Sequence, residues 1–173
     1  MSACDSLFDR IYVVSLPESN ERRSYVSRHL ESNGIQRYEW HNALNQKHPK
    51  VKEAFESGLV HKYPPCFRCG KKECGRVDCN NVRLPVQIAV FANYLDLFRK
   101  IARRNERALV VEDDVKLHSY WPSVVRQIEN EVANGRVPFK PEAPCLLRLG
   151  WALNDEHRED RTFNLNEDVR MSN

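Results

Sequence analysis

Three consecutive carboxylates, Glu112-Asp113-Asp114, follow directly on the apolar run Ala108-Leu109-Val110-Val111 and lead into Val115-Lys116-Leu117. The valine- and leucine-rich run reads as a strand buried on both faces, as inside a parallel sheet. Adjacent acids repel one another, so their place at the end of such a strand needs a reason. A divalent cation would remove the repulsion, because carboxylate oxygens are the ligands that Mg²⁺ and Mn²⁺ prefer. A solvated acidic turn is the alternative. On pattern alone both readings stay open.

The second cluster with chemical potential is made of thiols. Four of the six cysteines, Cys66, Cys69, Cys74 and Cys79, follow one another with the spacing C-x2-C-x4-C-x4-C. Four thiolates suit tetrahedral Zn²⁺, and Gly70 and Gly75 permit the tight turns that wrap a metal. The spacing, Phe67 and the glycine after Cys69 resemble a retroviral-type zinc knuckle, with Cys74 where the knuckle has histidine. A complete set of protein ligands leaves no open coordination position, so the expected role of this zinc is structural. Arg68, Lys71, Lys72, Arg76 and Arg83 make the segment basic, which raises an alternative of another class, a module that binds single-stranded nucleic acid. Phe67 is the lone aromatic within the cluster, however, and base stacking ordinarily uses more than one. A zinc clip that pins a long loop is the preferred reading.

The elements that must position these groups alternate. Ile11-Tyr12-Val13-Val14-Ser15 reads as a first strand, broken by Leu16-Pro17-Glu18. Ser19 or Asn20 is placed to cap a helix through Arg22, Val26 and Leu30 that stops at Gly34. Ile35 to Trp40 reads as a second strand, completing a βαβ unit of about thirty residues. Val51 to Phe55 suggests a short helix closed by Gly58. From Pro85 to Arg104 the apolar positions recur with helical period, and Pro85 suits a first turn. Lys100, Arg103 and Arg104 fall in its last turns, where a solvated basic helix end is expected. After the acidic strand come a helix from about Tyr120 to Asn134 and a buried-looking strand, Cys145 to Leu149.

Strands alternating with helices predict an α/β domain with a mostly parallel sheet. The 173 residues suit one domain. The expectation is a single domain over residues 1–173, with the zinc-binding insert at about 62–83 and a charged tail at about 154–173. Hydrophobic content of 41%, charged content of 29% and a net charge of +3 are those of a folded globular chain and demand no nucleic-acid partner. No apolar stretch reaches the length of a membrane span, and the N-terminus lacks a signal-peptide layout, so cytoplasmic placement is expected. Ligands of open α/β sheets bind outside the carboxyl ends of the strands. Glu112, Asp113 and Asp114 are predicted to lie on that edge, with Ser15 to Asn20.

These residues together resemble glycosyltransferase family 25, which includes lipopolysaccharide and collagen galactosyltransferases. The resemblance runs through Ile11 to Leu16 with Glu21-Arg22-Arg23, through the helix Val86 to Ile101, and most specifically through Leu109-Val110-Val111-Glu112-Asp113-Asp114-Val115. The last stretch is similar to the family's Glu-Asp-Asp form of the DxD motif. Ser15 stands where the family usually has Asn, and Asn93-Tyr94 stands where it commonly has Ser-His. The resemblance implies a GT-A-like (Rossmann-like) fold, a UDP-sugar donor carrying galactose or glucose, Mn²⁺ (or Mg²⁺), and inverting transfer. The acceptor would be the hydroxyl of a glycan, a lipid-linked sugar or a protein. It further implies Asp114 as direct metal ligand, with Glu112 beside it or, like Asp113, on the ribose or a bound water. Ser15, Leu16 and Arg22 (or Arg23) would line the donor nucleotide. Family members usually extend further, so three readings of the C-terminal side stay open, a fragment, a shortened homologue or a degenerate and inactive truncated homologue, each with an incomplete acceptor side. Asp155, Glu156 and His157 lie in the charged tail, where surface is their ordinary place, and no general base is assigned.

Overall fold

The computed structural model describes residues 4–59, 66, 68–71, 85–137 and 146–147. The first strand, β1 (Arg10–Ser15), follows a one-turn helix, α1 (Cys4–Leu7), that the sequence pattern does not announce. A turn closed by Ser19 N donating to Leu16 O leads into α2 (Asn20–Ser32). Val26 and Leu30 on α2 are buried without exposure. Ser19 holds the N-cap position, but its side chain makes no capping hydrogen bond.

The exit from α2 explains the first departure from the sequence reading. Gly34, at φ +76°, donates to Glu31 O, and Ile35 N donates to Leu30 O. Those two bonds form the paired closure of a helix C-terminus, in which glycine takes the left-handed conformation and the next residue packs back onto the helix. Ile35 is therefore buried as part of the helix end, and the second strand, β2 (Glu39–Asn42), starts later than the expected Ile35.

Three further elements complete the unit formed by residues Cys4–Leu117. Helix α3 (Pro49–Glu56) has proline in its first turn and is capped by His48, whose Nδ1 accepts from Lys50 N. Helix α4 spans Pro85–Arg104, and β3 spans Ala108–Glu112. Helices α3 and α4 meet through Val51, Ile88 and Ala89, with Leu44 against them.

The sheet is parallel throughout, in the order β2-β1-β3. Successive side chains on a strand point to opposite faces. One face carries Val13, Ser15, Trp40 and Asn42, and α2 reaches it through Arg23. The other carries Tyr12, Glu39 and Glu112, and α4 reaches it through Tyr94, Lys100 and Arg104. The result is a mixed α/β sandwich of the Rossmann-like type, with helices on both faces of the sheet.

The basic end of α4 is not simply solvated. Arg104 Nη1 donates to Tyr12 Oη at 2.8 Å, and Lys100 pairs with Glu39 at 3.2 Å while sitting 4.6 Å from the Tyr12 ring centre. Tyr12 donates to Glu106, and Arg10 bridges Glu39 and Glu106. Burial first, then Glu106, push the Tyr12 hydroxyl pKa up to about 12. The register of β1 against β2 brings these charges together, because Tyr12 is the partner of Glu39.

The described residues from His118 onward belong to a second compact unit. Its helix α5 (Trp121–Ala133) buries Trp121, Val125 and Ile128 at helical spacing and ends at Gly135, φ +71°. Of the expected strand Cys145 to Leu149, Leu146 and Leu147 are described and neither is in a strand, Leu146 being exposed. The rest of that stretch, and the charged tail, lie outside the described residues.

One buried group on β2 makes stability depend on pH. His41 is buried, and burial holds its imidazole below the ordinary value of 6.5, against the opposing pull of Asp96 and of a backbone hydrogen bond at Asn93. A depressed histidine favours the neutral form in the folded chain, so its stability is intact above the unfolded value and is lost as pH falls below it. Unfolding temperature is expected to drop on acidification from pH 7 towards pH 5, with a shallower slope in His41→Gln. An unchanged slope in that variant would exclude His41 as the cause.

Candidate functional site

The strand order doubles back at β1: the chain passes from β1 to β2 on one side and returns with β3 on the other. The carboxyl ends of β1 and β3 therefore flank a topological switch point, where open α/β sheets form their ligand crevice. Val14 pairs with Glu112 in the register, so the next residues along each strand, Ser15 and Asp113, lie side by side there.

Asp113 is buried, with 7% of its surface exposed. Its two carboxylate oxygens are both engaged. Ser15 Oγ donates to Oδ2 at 2.7 Å, and Arg22 Nη1 donates to Oδ1 at 3.2 Å. A buried carboxylate is tolerable only when paired and hydrogen-bonded in this way. The turn Glu112-Asp113-Asp114-Val115 is closed by Val115 N donating to Glu112 O. With Asp113 locked inward, its neighbours Glu112 and Asp114 are both exposed.

The three acids are thus unequal. Glu112 accepts from Tyr94 Oη at 2.5 Å. Asp114 makes no hydrogen bond or ion pair to the described residues, and its charge adds to the field at Tyr94. Burial, then the hydrogen bond to Glu112, push the Tyr94 hydroxyl well above its ordinary pKa. It stays a protonated donor across the working pH range.

The two arginines are also unequal. Arg23 Nε donates to Leu16 O and Ser15 Oγ, and its Nη2 donates to Ser15 O and to Asn42 Oδ1 at 2.6 Å. Its guanidinium also lies 4.6 Å from the Trp40 ring centre. Arg23 is spent tying α2 to β1 and β2. Arg22 keeps 63% of its side chain exposed while anchored to Asp113, leaving N–H donors directed to solvent. Ser15 is buried, and the Leu16 carbonyl accepts from Ser19 N as well as from Arg23.

Residues beyond the predicted set hold the edge in shape. Asn93 is buried on α4 and pairs with the Leu44 backbone in both senses, accepting from Leu44 N at 2.8 Å and donating to Leu44 O at 3.0 Å. His29 Nε2 accepts from Leu117 N at 2.8 Å, tying the chain after the acidic turn to α2. That bond requires Nε2 to be unprotonated. No spacing in the sequence announces these long-range pairs. The one signal was Asn93-Tyr94 standing where the resembled family commonly has Ser-His.

Among the described residues no three or more His, Cys, Asp and Glu side chains gather as a cation site. Glu112 and Asp114 remain as two exposed carboxylates, which is the complement that Mg²⁺-type sites commonly take from protein when substrate phosphates complete the shell. Of the cysteine cluster, Cys66 and Cys69 are described, and Cys74 and Cys79 lie outside the described residues. Cys66 N donates to Lys71 O and Gly70 N donates to Cys66 O, with Gly70 at φ +67°.

The family model of glycosyltransferase family 25 (LPS biosynthesis protein) matches residues 8–171. The chain belongs to glycosyltransferase family 25. It is a transferase that moves a sugar from a donor to an acceptor. No curated protein matches it significantly. Among the described residues no helix is long and apolar enough to cross a membrane.

The locked turn yields a sharp contrast between neighbours. Asp113→Ala removes a buried, charge-assisted pairing and is expected to cost about 2–3 kcal/mol in denaturant unfolding. Asp114→Ala, one residue on, should stay within about 0.5 kcal/mol of the parent, as exposed substitutions do. Equal losses in the two variants would contradict the inward locking of Asp113.

Proposed function

We propose that this glycosyltransferase moves a hexose, galactose or glucose, from a UDP-sugar to a hydroxyl of a glycan or lipid-linked sugar in lipopolysaccharide biosynthesis, with inversion. The observation that carries this reading is the pair of exposed carboxylates, Glu112 and Asp114, presented at the switch point by a buried Asp113. Family membership supplies the reaction class. In the reaction the bond between the anomeric carbon and the diphosphate oxygen breaks, and its electron pair leaves with UDP. The acceptor oxygen bonds to the opposite face of that carbon and gives up its proton to a base.

Charge accumulates on the departing diphosphate, and stabilising it is the main electrostatic task of the site. Asp114 and Glu112 would hold Mn²⁺ or Mg²⁺, whose positive charge offsets that of the diphosphate. Arg22, anchored through one Nη atom to Asp113, can direct its remaining donors to a phosphate oxygen. Ser15, Leu16 and Asp113 frame the donor site, their polar atoms holding the turn and the start of α2 in place.

UDP with Mn²⁺ is expected to raise the unfolding temperature by several degrees, since ligand at a hundred times its Kd adds about 2.7 kcal/mol. Chelation and Asp114→Ala should each abolish that shift together with donor-sugar hydrolysis. Absence of any UDP-dependent shift with Mn²⁺ would remove this reading.

We further propose that Cys66, Cys69, Cys74 and Cys79 bind one structural Zn²⁺. The backbone bonds from Cys66 N to Lys71 O and from Gly70 N to Cys66 O, with Gly70 left-handed, keep the stretches around the first two cysteines close together, and the four-thiol ligand set supports the assignment. Elemental analysis should find about one zinc per chain, reduced to background in Cys66→Ser and in Cys74→Ser. Purified parent protein without zinc would refute the assignment.

A further inference from the structure

The donor-site reading leaves Tyr94 without a role, although it holds one of the two exposed carboxylates. Building on that reading, we propose that Tyr94 is a positioning residue that fixes Glu112 as a metal-binding carboxylate with one oxygen committed and the other presented. Tyr94 Oη donates to Glu112 Oε1 at 2.5 Å. A hydroxyl donor to a carboxylate at that length is a strong, charge-assisted bond. It takes one oxygen and leaves Oε2 with its lone pairs.

The tyrosine is itself held. Its ring lies 5.7 Å from that of Phe98, one turn further along α4. The preceding residue, Asn93, is clamped to both polar atoms of the Leu44 backbone, which fixes the rotation of α4 at this point. Tyr94 is half-buried, so its hydroxyl approaches Glu112 from a fixed base. An exposed glutamate otherwise spreads over many rotamers, and ordering it costs conformational entropy. A donor from α4 removes most of that cost before a cation arrives.

The two carboxyl neighbours are therefore oriented from opposite faces of the sheet. Asp113 is held from the α2 side by Arg22, and Glu112 from the α4 side by Tyr94. The acidic turn is gripped between the helical layers, and Asp114 at its outer corner completes the pair.

The test is a double-mutant cycle on Mn²⁺ affinity, measured on the full chain by electron paramagnetic resonance of free Mn²⁺ with UDP present. Tyr94→Phe keeps the ring and removes the donor. It should weaken Mn²⁺ binding about 10–100-fold, the usual loss when a group orienting a metal ligand is removed. In a Glu112→Gln background the same substitution should change affinity less than about 2-fold, because the effect acts through Glu112. Unaltered affinity in Tyr94→Phe would overturn the proposal, as would an equal loss in both backgrounds. If Asp114→Ala and Glu112→Gln both bind Mn²⁺ as the parent does, the donor-site reading fails instead. The two failures leave different patterns.

Discussion

A carboxylate taken out of water has to be paired on every side, and the Asp113 carboxylate is the constraint around which the carboxyl edge of this sheet is arranged. Its oxygens meet a hydroxyl from β1 and a guanidinium from α2. Ser15 in turn is pinned through its hydroxyl and carbonyl oxygens by Arg23, which continues to Asn42 on β2. A single buried charge thus connects all three strands and the helix on one face. The geometry of the exposed acids is a consequence: a turn whose middle residue is locked inward presents the residues on either side of it.

The other half of the sheet solves a similar problem with a distributed network. Tyr12, Glu39, Glu106, Arg10, Lys100 and Arg104 share charge across β1, β2 and α4, with burial lifting the tyrosine well above its ordinary pKa. Exposed ion pairs contribute little singly. Here they converge on a buried ring and an almost buried glutamate, so their use is to fix where α4 lies on the sheet. Helix α4 therefore spans both tasks. Its basic end anchors it near the start of β1, and Asn93 and Tyr94 act at the end of β3 and on the loop after β2.

Much of this was legible locally. The β-branched runs, Pro85 and Gly34 placed β1, β3, α4 and the end of α2, because period and punctuation are local properties. The start of β2 is not legible in this way, for the opposite reason. Ile35 has strand character by type, but it is spent closing α2, and only the bond to Leu30 reveals that. Lys100 and Arg104 read from the sequence as a solvated helix end, and the register that delivers Glu39 to them is a property of the sheet.

The sequence by itself determined the α/β class, the family, and the presence of three acids at the end of a buried strand, since each is written in consecutive residues. Tertiary structure decided which of those acids faces outward. Residue types alone cannot rank Glu112, Asp113 and Asp114. The ranking comes from strand register, which sets Ser15 beside Asp113, and from helix placement, which sets Tyr94 beside Glu112. It likewise separated Arg22 from Arg23, adjacent and chemically identical, by giving one a cage of carbonyls and the other an open face. Ser15 and Arg22 meet Asp113 across 98 and 91 residues of sequence, and such partners come into contact only when the sheet closes.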